Sequence, residues 1–249
     1  MSKPTENFIN IFIPCQMDLF QPASAQSLRS VLERIGLHCH YFSDLTCCGR
    51  RFMMEGKEEY AIQLGIQVVD MLPAKTHIVV PDCSCAGYMK KHFKRLLVNS
   101  HSQQVLQDFT RNIFEVCDYI VNVRKVECLG NEFNHRVYYF KSCAARNLYP
   151  ENDAPEILLS NTKGLDLLTS SNQPVCCGAN GSFPMVNPAV AEGLTGQIVD
   201  QAYQMGAEYI TSTDIHCLQM IDAYKTAHNV DIEVMHIVDI LQGEQPATF

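Results

Sequence analysis

A chain of 249 residues with 47% hydrophobic and 18% charged residues is long enough for one large or two small globular domains. Its formal net charge of −8 argues against nucleic-acid binding, which needs a basic face. No apolar run reaches the roughly 18 residues that span a bilayer and the N-terminus lacks a signal-peptide core, so we expect a cytoplasmic protein, or one held at the inner face of a membrane only through its partners.

The first half of the chain is predicted to consist of strands that alternate with helices. A strand is predicted at residues 10–13, and apolar positions at helical spacing predict helices over 24–35 and 58–72. A further strand is predicted at 77–80, and a polar, loop-like stretch near 99–111 leads into a closing helix. Alternating strands and helices are typical of a parallel sheet that is covered on both faces.

The second half repeats this order. Strands are predicted at residues 137–140 and 208–211, and apolar positions at helical spacing predict a helix over 190–205. The segments 114–120 and 232–238 close the two halves with similar apolar sequences. The repeated order indicates that the two halves have the same architecture.

Matching positions indicate an internal duplication. Gly36-Leu37 and Gly164-Leu165 stand 128 residues apart, and a period of about half the chain indicates two lobes rather than a solenoid. We therefore predict an α/β fold with two lobes related by a pseudo-twofold axis, each a small parallel sheet flanked by helices. The first lobe covers residues 1–130 and the second lobe covers residues 131–249.

Nine of the twelve cysteines fall into two matching frames, in which a lone cysteine is followed by Cys-Cys-Gly and then by Asp-x-x-Cys. They are Cys15, Cys47, Cys48, Cys83 and Cys85 in the first lobe and Cys143, Cys176, Cys177 and Cys217 in the second. Between the lone cysteine and the pair there are 31 residues in the first lobe and 32 in the second. Because the first and last cysteines follow predicted strands, we expect them at the carboxyl edge of each sheet.

Each adjacent cysteine pair requires a turn, because neighbouring side chains on an extended strand point to opposite faces. Gly49 and Gly178 follow the two pairs, and we expect them to supply the positive φ of that turn. We also expect Gly181 to allow a close approach of the backbone to the site.

Thiolates gathered from three loops of each lobe indicate a soft metal centre, for which iron–sulfur is the first hypothesis. Structural zinc is an alternative, although such sites usually take Cys-x₂₋₄-Cys pairs as each half of the ligand set. A disulfide framework is another, although it is typical of short secreted chains with more cysteine than the about 5% found here. Cysteines that bind no metal and form no disulfide are the remaining alternative.

The remaining candidate residues have structural and functional interpretations. We expect Cys39 and Cys117 in the core, Cys128 at the surface, and His216 hydrogen-bonded to the loop of its neighbour Cys217. Basic residues next to the cysteines could stabilise an anionic centre or lie solvated at the surface. They are Arg50, Arg51, Lys141 and Arg146. No glycine-rich nucleotide fingerprint follows a strand, so we expect no tightly held flavin or nicotinamide.

The two frames resemble those of the cysteine-rich CCG domain family. This family includes the cluster-binding subunit of heterodisulfide reductase, the iron–sulfur subunits of glycolate oxidase and anaerobic glycerol-3-phosphate dehydrogenase, and the two-repeat lactate utilisation proteins. The chain is most similar to the last group, over nearly its whole length. Residues 14–22 match its opening Pro-Cys-x-x-Asp-x-x-x-Pro, and residues 176–183 match its Cys-Cys-Gly-x-x-Gly-x-Phe.

The resemblance implies one or two iron–sulfur clusters per chain, of cubane or non-cubane [4Fe–4S] form. The implied ligands are Cys15, Cys47, Cys48 and Cys85 with Cys83 as a candidate fifth, and Cys143, Cys176, Cys177 and Cys217. The implied function is electron transfer within a multi-protein oxidoreductase that oxidises L-lactate or a similar 2-hydroxy acid, with other iron–sulfur subunits as partners. The alternative is a heterodisulfide-reductase-like subunit that reduces a disulfide or persulfide at its cluster, and an iron–sulfur scaffold or redox sensor is a third hypothesis.

The chain departs from the family pattern in two places that bear on the site. Asp82 and Asp214 stand where the reductase has the first cysteine of a closing Cys-x-x-Cys, and Arg50-Arg51 stands where the family usually has Gln-Pro. The first lobe therefore offers up to five thiolates and the second lobe four. We expect the two sites to differ in the type of cluster that they hold or in the ligand that replaces the fifth thiolate.

Overall fold

The computed structural model describes residues 7–45, 47–150 and 153–243. The strands are β1 (Phe8–Ile11), β2 (His38–Tyr41), β3 (Ile78–Val80), β4 (Ile113–Glu115), β5 (Arg136–Tyr139), β6 (Asp166–Leu168), β7 (Tyr209–Ser212) and β8 (Glu233–His236). The helices are α1 (Cys15–Phe20), α2 (Pro22–Arg34), α3 (Arg50–Met54), α4 (Glu58–Met71), α5 (Cys83–Leu96), α6 (Gln103–Arg111), α7 (Val116–Asp118), α8 (Cys143–Asn147), α9 (Ala154–Ser160), α10 (Phe183–Val186), α11 (Pro188–Gln204), α12 (Ile215–Ala227) and α13 (Ile237–Gln242). A π-helical turn (Tyr119–Val123) follows α7.

The strands form two parallel sheets of the same topology. Their orders are β2-β1-β3-β4 and β6-β5-β7-β8, and every ladder between neighbouring strands is parallel. Helices accompany each sheet, so the predicted α/β fold with two similar lobes is confirmed. The predicted lobe boundary at residue 130 falls between the π-helical turn and β5, and its exact place stays a prediction.

The predicted elements are present, with shifted ends. The helices predicted over 24–35, 58–72 and 190–205 are α2, α4 and α11. β1 ends at Ile11, two residues before the end of the strand predicted at 10–13. Phe12 N–H nevertheless donates to the Val79 carbonyl oxygen at 3.0 Å. The similar segments that close the two halves contain β4 and β8, which add a fourth strand to each sheet.

The polar stretch near residues 99–111 is a helix over most of its length. Ser102 caps α6 by accepting a hydrogen bond from Val105 N–H at 3.3 Å. Leu106 and Phe109 on the inner face of α6 are buried in the first-lobe core. Polar composition at the start of this stretch marks the cap of a helix, and only the residues before Ser102 form the predicted loop.

The strand order places the cysteine loops together. In each sheet the second strand lies on one side of the first strand and the third strand lies on the other side. The loops that follow the first and third strands therefore run in opposite directions and leave a crevice between them. These loops follow β1 and β3 in the first lobe and β5 and β7 in the second. Cys15 begins α1 directly after the first of these strands, and Cys83 begins α5 after the second. The expectation that the first and last cysteines lie at the carboxyl edge is confirmed.

The closing helices of each lobe pack against the other lobe. In the second lobe α13 packs on α2 of the first lobe, where Ser24 Oγ donates to Asp239 Oδ2 at 2.6 Å. Reciprocally, α7 and the π-helical turn of the first lobe pack on α9, and nearby Tyr149 Oη donates to Asp118 Oδ2 at 2.5 Å. One core cluster contains buried residues of both lobes, including Leu28. This packing fixes the two sheets relative to one another.

Helix α5 also touches the second lobe directly. A Cβ added at Gly87 would lie 2.8 Å from the backbone carbonyl carbon of Leu148, at the end of α8. Glycine is required here because the two backbones approach too closely for any side chain. No helix among the described residues is both long and apolar enough to cross a membrane.

We predict that Gly87→Ala destabilises the protein by about 1–3 kcal/mol, because the added methyl group overpacks the contact between the lobes. Gly193→Ala is the matched control, since a Cβ at this helical position of α11 has no neighbour within 4 Å. The control is expected to be neutral or to stabilise by up to about 1 kcal/mol. Thermal unfolding followed by circular dichroism measures both. Equal melting temperatures for the two variants would contradict the prediction.

Candidate metal centres

The first lobe brings four predicted cysteines together. Cys15 Sγ lies 3.7 Å from Cys47 Sγ, and Cys48 Sγ lies 3.2 Å from Cys85 Sγ. Cys48 and Cys85 are buried, and the other two are partly exposed. They come from the start of α1, the Cys-Cys-Gly turn and the first turn of α5, so tertiary folding alone makes them neighbours.

The second lobe gathers the equivalent four residues. Cys143, Cys176, Cys177 and Cys217 line one small cavity. Cys143 is hydrogen-bonded to Cys176, and Cys177 lies next to Cys217 with their Cα atoms 5.6 Å apart. The four second-lobe sulfurs thus converge as the first-lobe sulfurs do.

The two Cys-Cys-Gly turns have the same geometry. Gly49 has φ of 82° and Gly178 has φ of 77°, so the predicted positive φ is confirmed. Gly49 N–H donates to Cys47 Sγ and Gly178 N–H donates to Cys176 Sγ, each at 3.3 Å. A Cβ at Gly49 would also lie 2.9 Å from the carbonyl oxygen of Ala61. Glycine thus provides both the turn and an N–H donor to sulfur.

The hydrogen bonds make one thiol in each lobe more acidic. Bonds from Cys15 and Cys48 lower the pKa of Cys47 to about 3, and a bond from Cys143 lowers the pKa of Cys176 to about 6. The donors Cys15 and Cys143 have raised pKa values, first because of these bonds and then because of burial. Since thiolates are the metal-binding form of cysteine, these hydrogen bonds favour that form at Cys47 and Cys176.

Asp82 and Asp214 act as helix caps. Asp82 Oδ1 accepts hydrogen bonds from Cys85 N–H and Ser84 Oγ–H, both at 2.6 Å. Asp214 Oδ1 accepts from His216 N–H at 3.2 Å at the start of α12. These aspartates fix the loops that carry the closing cysteines.

His216 lies beside Cys217, but its Nδ1 atom has no hydrogen-bond partner among the described residues, so the expected bond to this loop is made by the backbone N–H alone. Burial lowers its pKa, but the neighbouring carboxylates of Asp214 and Asp82 outweigh burial and raise the pKa above its usual value. Its Nδ1 atom lies 3.7 Å from Asp214 Oδ1. The charge of His216 also acts on Cys47 in the other lobe.

Other sequence-predicted residues have different neighbours from those expected. Cys83 Sγ lies 3.7 Å from Ser142 Oγ of the second lobe, so its role as a fifth first-lobe ligand stays a prediction. The Cβ position of Gly181 lies 3.3 Å from Met54 Cβ across the lobe interface, and the close approach there is to this side chain.

The expectations for the three remaining cysteines agree with the structure in different degrees. Cys117 is fully buried and Cys128 is exposed, as expected. Cys39 is half-buried on the edge strand β2 and packs against the shared core, and burial raises its pKa to about 11.

Tyr88 is a site residue that sequence reasoning missed. Its side chain is fully buried, and its Oη atom has no hydrogen-bond partner among the described residues. Burial raises the pKa of Tyr88, and the charges of Cys48 and Cys47 add to this effect. Its place three residues after Cys85 in a helix, on the same face, was the signal that could have identified it.

The residues around the thiols fit an anionic, sulfur-ligated group. Two enclosed donor atoms, Tyr88 Oη and Arg50 Nε, are unsatisfied among the described residues, and both groups interact electrostatically with Cys48 and Cys85. An unsatisfied buried donor costs about 1–3 kcal/mol. A negatively charged group held by the thiolates would offer these donors acceptors, and an all-sulfur ligand set suits an iron–sulfur cluster.

The cysteine-rich domain model named CCG matches residues 9–90 and again residues 137–222. The chain belongs to the CCG cysteine-rich domain family. The two matches contain all nine predicted site cysteines, so the CCG unit is duplicated with its cysteine frame in each copy.

The CCG chain is similar over its full length to curated proteins named Lactate utilization protein A. The protein of Shouchella clausii is 26% identical over 237 residues, which is 95% of this chain and 99% of that protein. The protein of Oceanobacillus iheyensis is 27% identical over 233 residues, which is 94% of this chain and 96% of that protein.

A hypothetical protein from Helicobacter pylori of known crystal structure has the same fold. The TM-score is 0.66 at 13% sequence identity, over 98% of this chain. The chain spans 50% of the length of that structure.

We predict that Cys47→Ser lowers the iron content by about half, because it removes the most acidic first-lobe thiol and leaves the second lobe intact. Cys128→Ser is the matched control, since Cys128 is an exposed cysteine outside both frames. Iron and acid-labile sulfide are measured on anaerobically purified proteins. Iron unchanged in Cys47→Ser, or lost equally in both variants, would contradict a first-lobe centre.

Proposed function

We propose that the chain is an iron–sulfur electron-transfer subunit of a multi-protein oxidoreductase that oxidises L-lactate or a similar 2-hydroxy acid. The observation that carries this proposal is the convergence of four cysteines in each lobe, with Sγ–Sγ distances of 3.2 and 3.7 Å in the first. Cys15, Cys47, Cys48 and Cys85 would hold one cluster, and Cys143, Cys176, Cys177 and Cys217 would hold the other.

The surrounding residues are suited to a buried redox centre. Cys48 and Cys85 exclude water because they are almost completely buried, and the N-terminus of the 14-residue helix α5 favours the negative charge of thiolates. Gly49 N–H donates to Cys47 Sγ, and Tyr88 Oη, which is unsatisfied among the described residues, interacts electrostatically with Cys48 and Cys47. A bound cluster would supply one-electron storage, and such hydrogen bonds and burial tune its potential.

The proposal of lactate as substrate depends on the relatives. Those proteins carry the name Lactate utilization protein A, and the match extends over nearly the whole of both chains. Other iron–sulfur subunits of such a system would pass electrons to and from this chain. No contact among the described residues favours the alternative of disulfide or persulfide reduction.

We predict about eight irons and a matching amount of acid-labile sulfide per chain after anaerobic purification, with an EPR spectrum typical of reduced four-iron clusters. The two cysteine sets would each hold one cluster. About four irons would mean that one lobe is loaded. Stoichiometric zinc without sulfide would overturn the proposal and leave a metal-stabilised scaffold.

We predict that deleting the gene abolishes growth on L-lactate in a strain of its source organism that has no other lactate dehydrogenase. The wild-type gene on a plasmid should restore growth, whereas a Cys47→Ser/Cys176→Ser double variant, produced at the same level, should not. Growth on glucose is the control. Normal growth of the deletion strain on L-lactate would exclude this substrate and leave the iron–sulfur assignment standing.

A further inference from the structure

Arg50 belongs to the first lobe but reaches the cysteine site of the second. It follows Gly49 directly and begins the short helix α3. One terminal nitrogen of its guanidinium donates to Asn180 Oδ1 at 3.1 Å. Asn180 stands two residues after Gly178, within the second Cys-Cys-Gly loop. The side chain therefore joins the Cys-Cys-Gly loops of the two lobes.

Arg50 also contributes to the wall of the second-lobe cavity. That cavity is lined by Cys143, Cys176, Cys177 and Cys217, together with other residues of the same lobe. Arg50 is the one lining residue that comes from the first lobe. The second site is thus incomplete without a side chain from the other half of the duplication.

The guanidinium lies between negative groups of both lobes. Burial lowers the pKa of Arg50, but the carboxylates of Asp214 and Asp82 and the sulfurs of Cys85 and Cys48 outweigh burial and raise it. Its Nε atom is enclosed and has no hydrogen-bond partner among the described residues. Arg50 is therefore a charged donor with one N–H group still to be satisfied.

Arg50 interacts electrostatically with the carboxylates of Asp82 and Asp214, which form a compact polar group with His216. Ligand atoms of Asp82, Asp214 and His216 lie within 4.8 Å of one another, which is a spacing suitable for a cation. The carboxylates, however, already accept backbone N–H groups as helix caps, and Arg50 supplies the positive charge next to them. Arg50 thus offsets part of the negative charge of these two carboxylates from within the chain.

The arrangement is not repeated in the first lobe. The residue after Gly178 is Ala179, so the second lobe offers no arginine in return. The duplication therefore places one half-buried guanidinium asymmetrically, in the wall of the second site. A cationic donor near an anionic centre favours the more negatively charged, reduced form.

We propose that Arg50 is a positioning residue of the second-lobe centre, which holds the loop at Asn180 and raises the reduction potential of that centre above the value it would have without the guanidinium. This inference rests on the proposed iron–sulfur function. It assigns different roles to Arg50 and Arg51, which the sequence does not distinguish. The redox step concerned is the uptake of one electron from dithionite or a partner subunit, with no bond formed or broken.

The test is an EPR-monitored redox titration of the full-length, anaerobically purified protein with dithionite. Arg50→Gln removes the charge and keeps an amide donor. At a fixed potential we expect the ratio of reduced to oxidised second-lobe centre to fall at least about tenfold, which corresponds to about 59 mV for a one-electron couple. A Cys176→Ser variant identifies the second-lobe signal, because only the first-lobe signal should survive in it.

Arg51→Gln is the matched control. Arg51 is the adjacent arginine, but its side chain is 57% exposed and pairs with Glu55 at 3.1 Å. We expect no change in either signal for this variant. Arg50→Lys retains the charge and should recover at least part of the shift, which a merely structural role of Arg50 would not predict.

Each other outcome has a definite meaning. Unchanged potentials in Arg50→Gln, or equal shifts in the Arg50 and Arg51 variants, would overturn the inference. Loss of the second-lobe signal alone, restored by Arg50→Lys, would support the inference as a positioning effect. Loss of iron from both lobes would mean that Arg50 is needed for folding, and it would overturn the inference. A wild-type protein that holds no cluster would instead remove the proposed function, and this inference with it.

Discussion

The buried carboxylate of Asp82 joins the two lobes at the point where the cysteine loops meet. Its Oδ1 atom caps the helix that carries Cys85, and its Oδ2 atom accepts the N–H of Ile215 in the other lobe at 3.0 Å. Next to it, Cys83 N–H donates to the Thr213 carbonyl oxygen at 3.0 Å. If this carboxylate were lost, helix α12 would lose an N-terminal acceptor and the two closing loops would lose their common anchor. The relative position of the two thiol sets depends on this contact.

The same constraint explains why an aspartate precedes the helix that carries each closing cysteine. A carboxylate can accept two or three N–H groups at once, whereas a thiol is a weak acceptor. The Asp82 cap therefore connects the lobes, and neither Asp82 nor Asp214 supplies a thiolate. The negative charge that the two carboxylates introduce next to thiolates is partly offset by Arg50, which interacts with both. Connection of the lobes, charge balance and ligand number are thus parts of one arrangement.

Much of the fold and part of the site were predictable from the sequence. Helical periodicity located α2, α4 and α11 because packing on a sheet requires a regular apolar face. The Cys-Cys-Gly motifs identified Gly49 and Gly178 as positive-φ residues, because the turn and the nearby backbone leave no room for a side chain. Short strands such as β4 were harder to predict from the sequence, since three residues carry too little periodicity to distinguish a strand from a loop.

The sequence by itself determined the duplication, the order of elements, the two cysteine frames and their place at the carboxyl edge of each sheet. These follow from local spacing and from general rules of chain connection. Tertiary structure alone decided that Cys83 faces Ser142, that the closing helices of each lobe pack against the other lobe, and that Arg50 rather than Arg51 reaches the other lobe. The physical reason is that successive helical residues point about 100° apart, so the partner of each side chain depends on how the two lobes pack together.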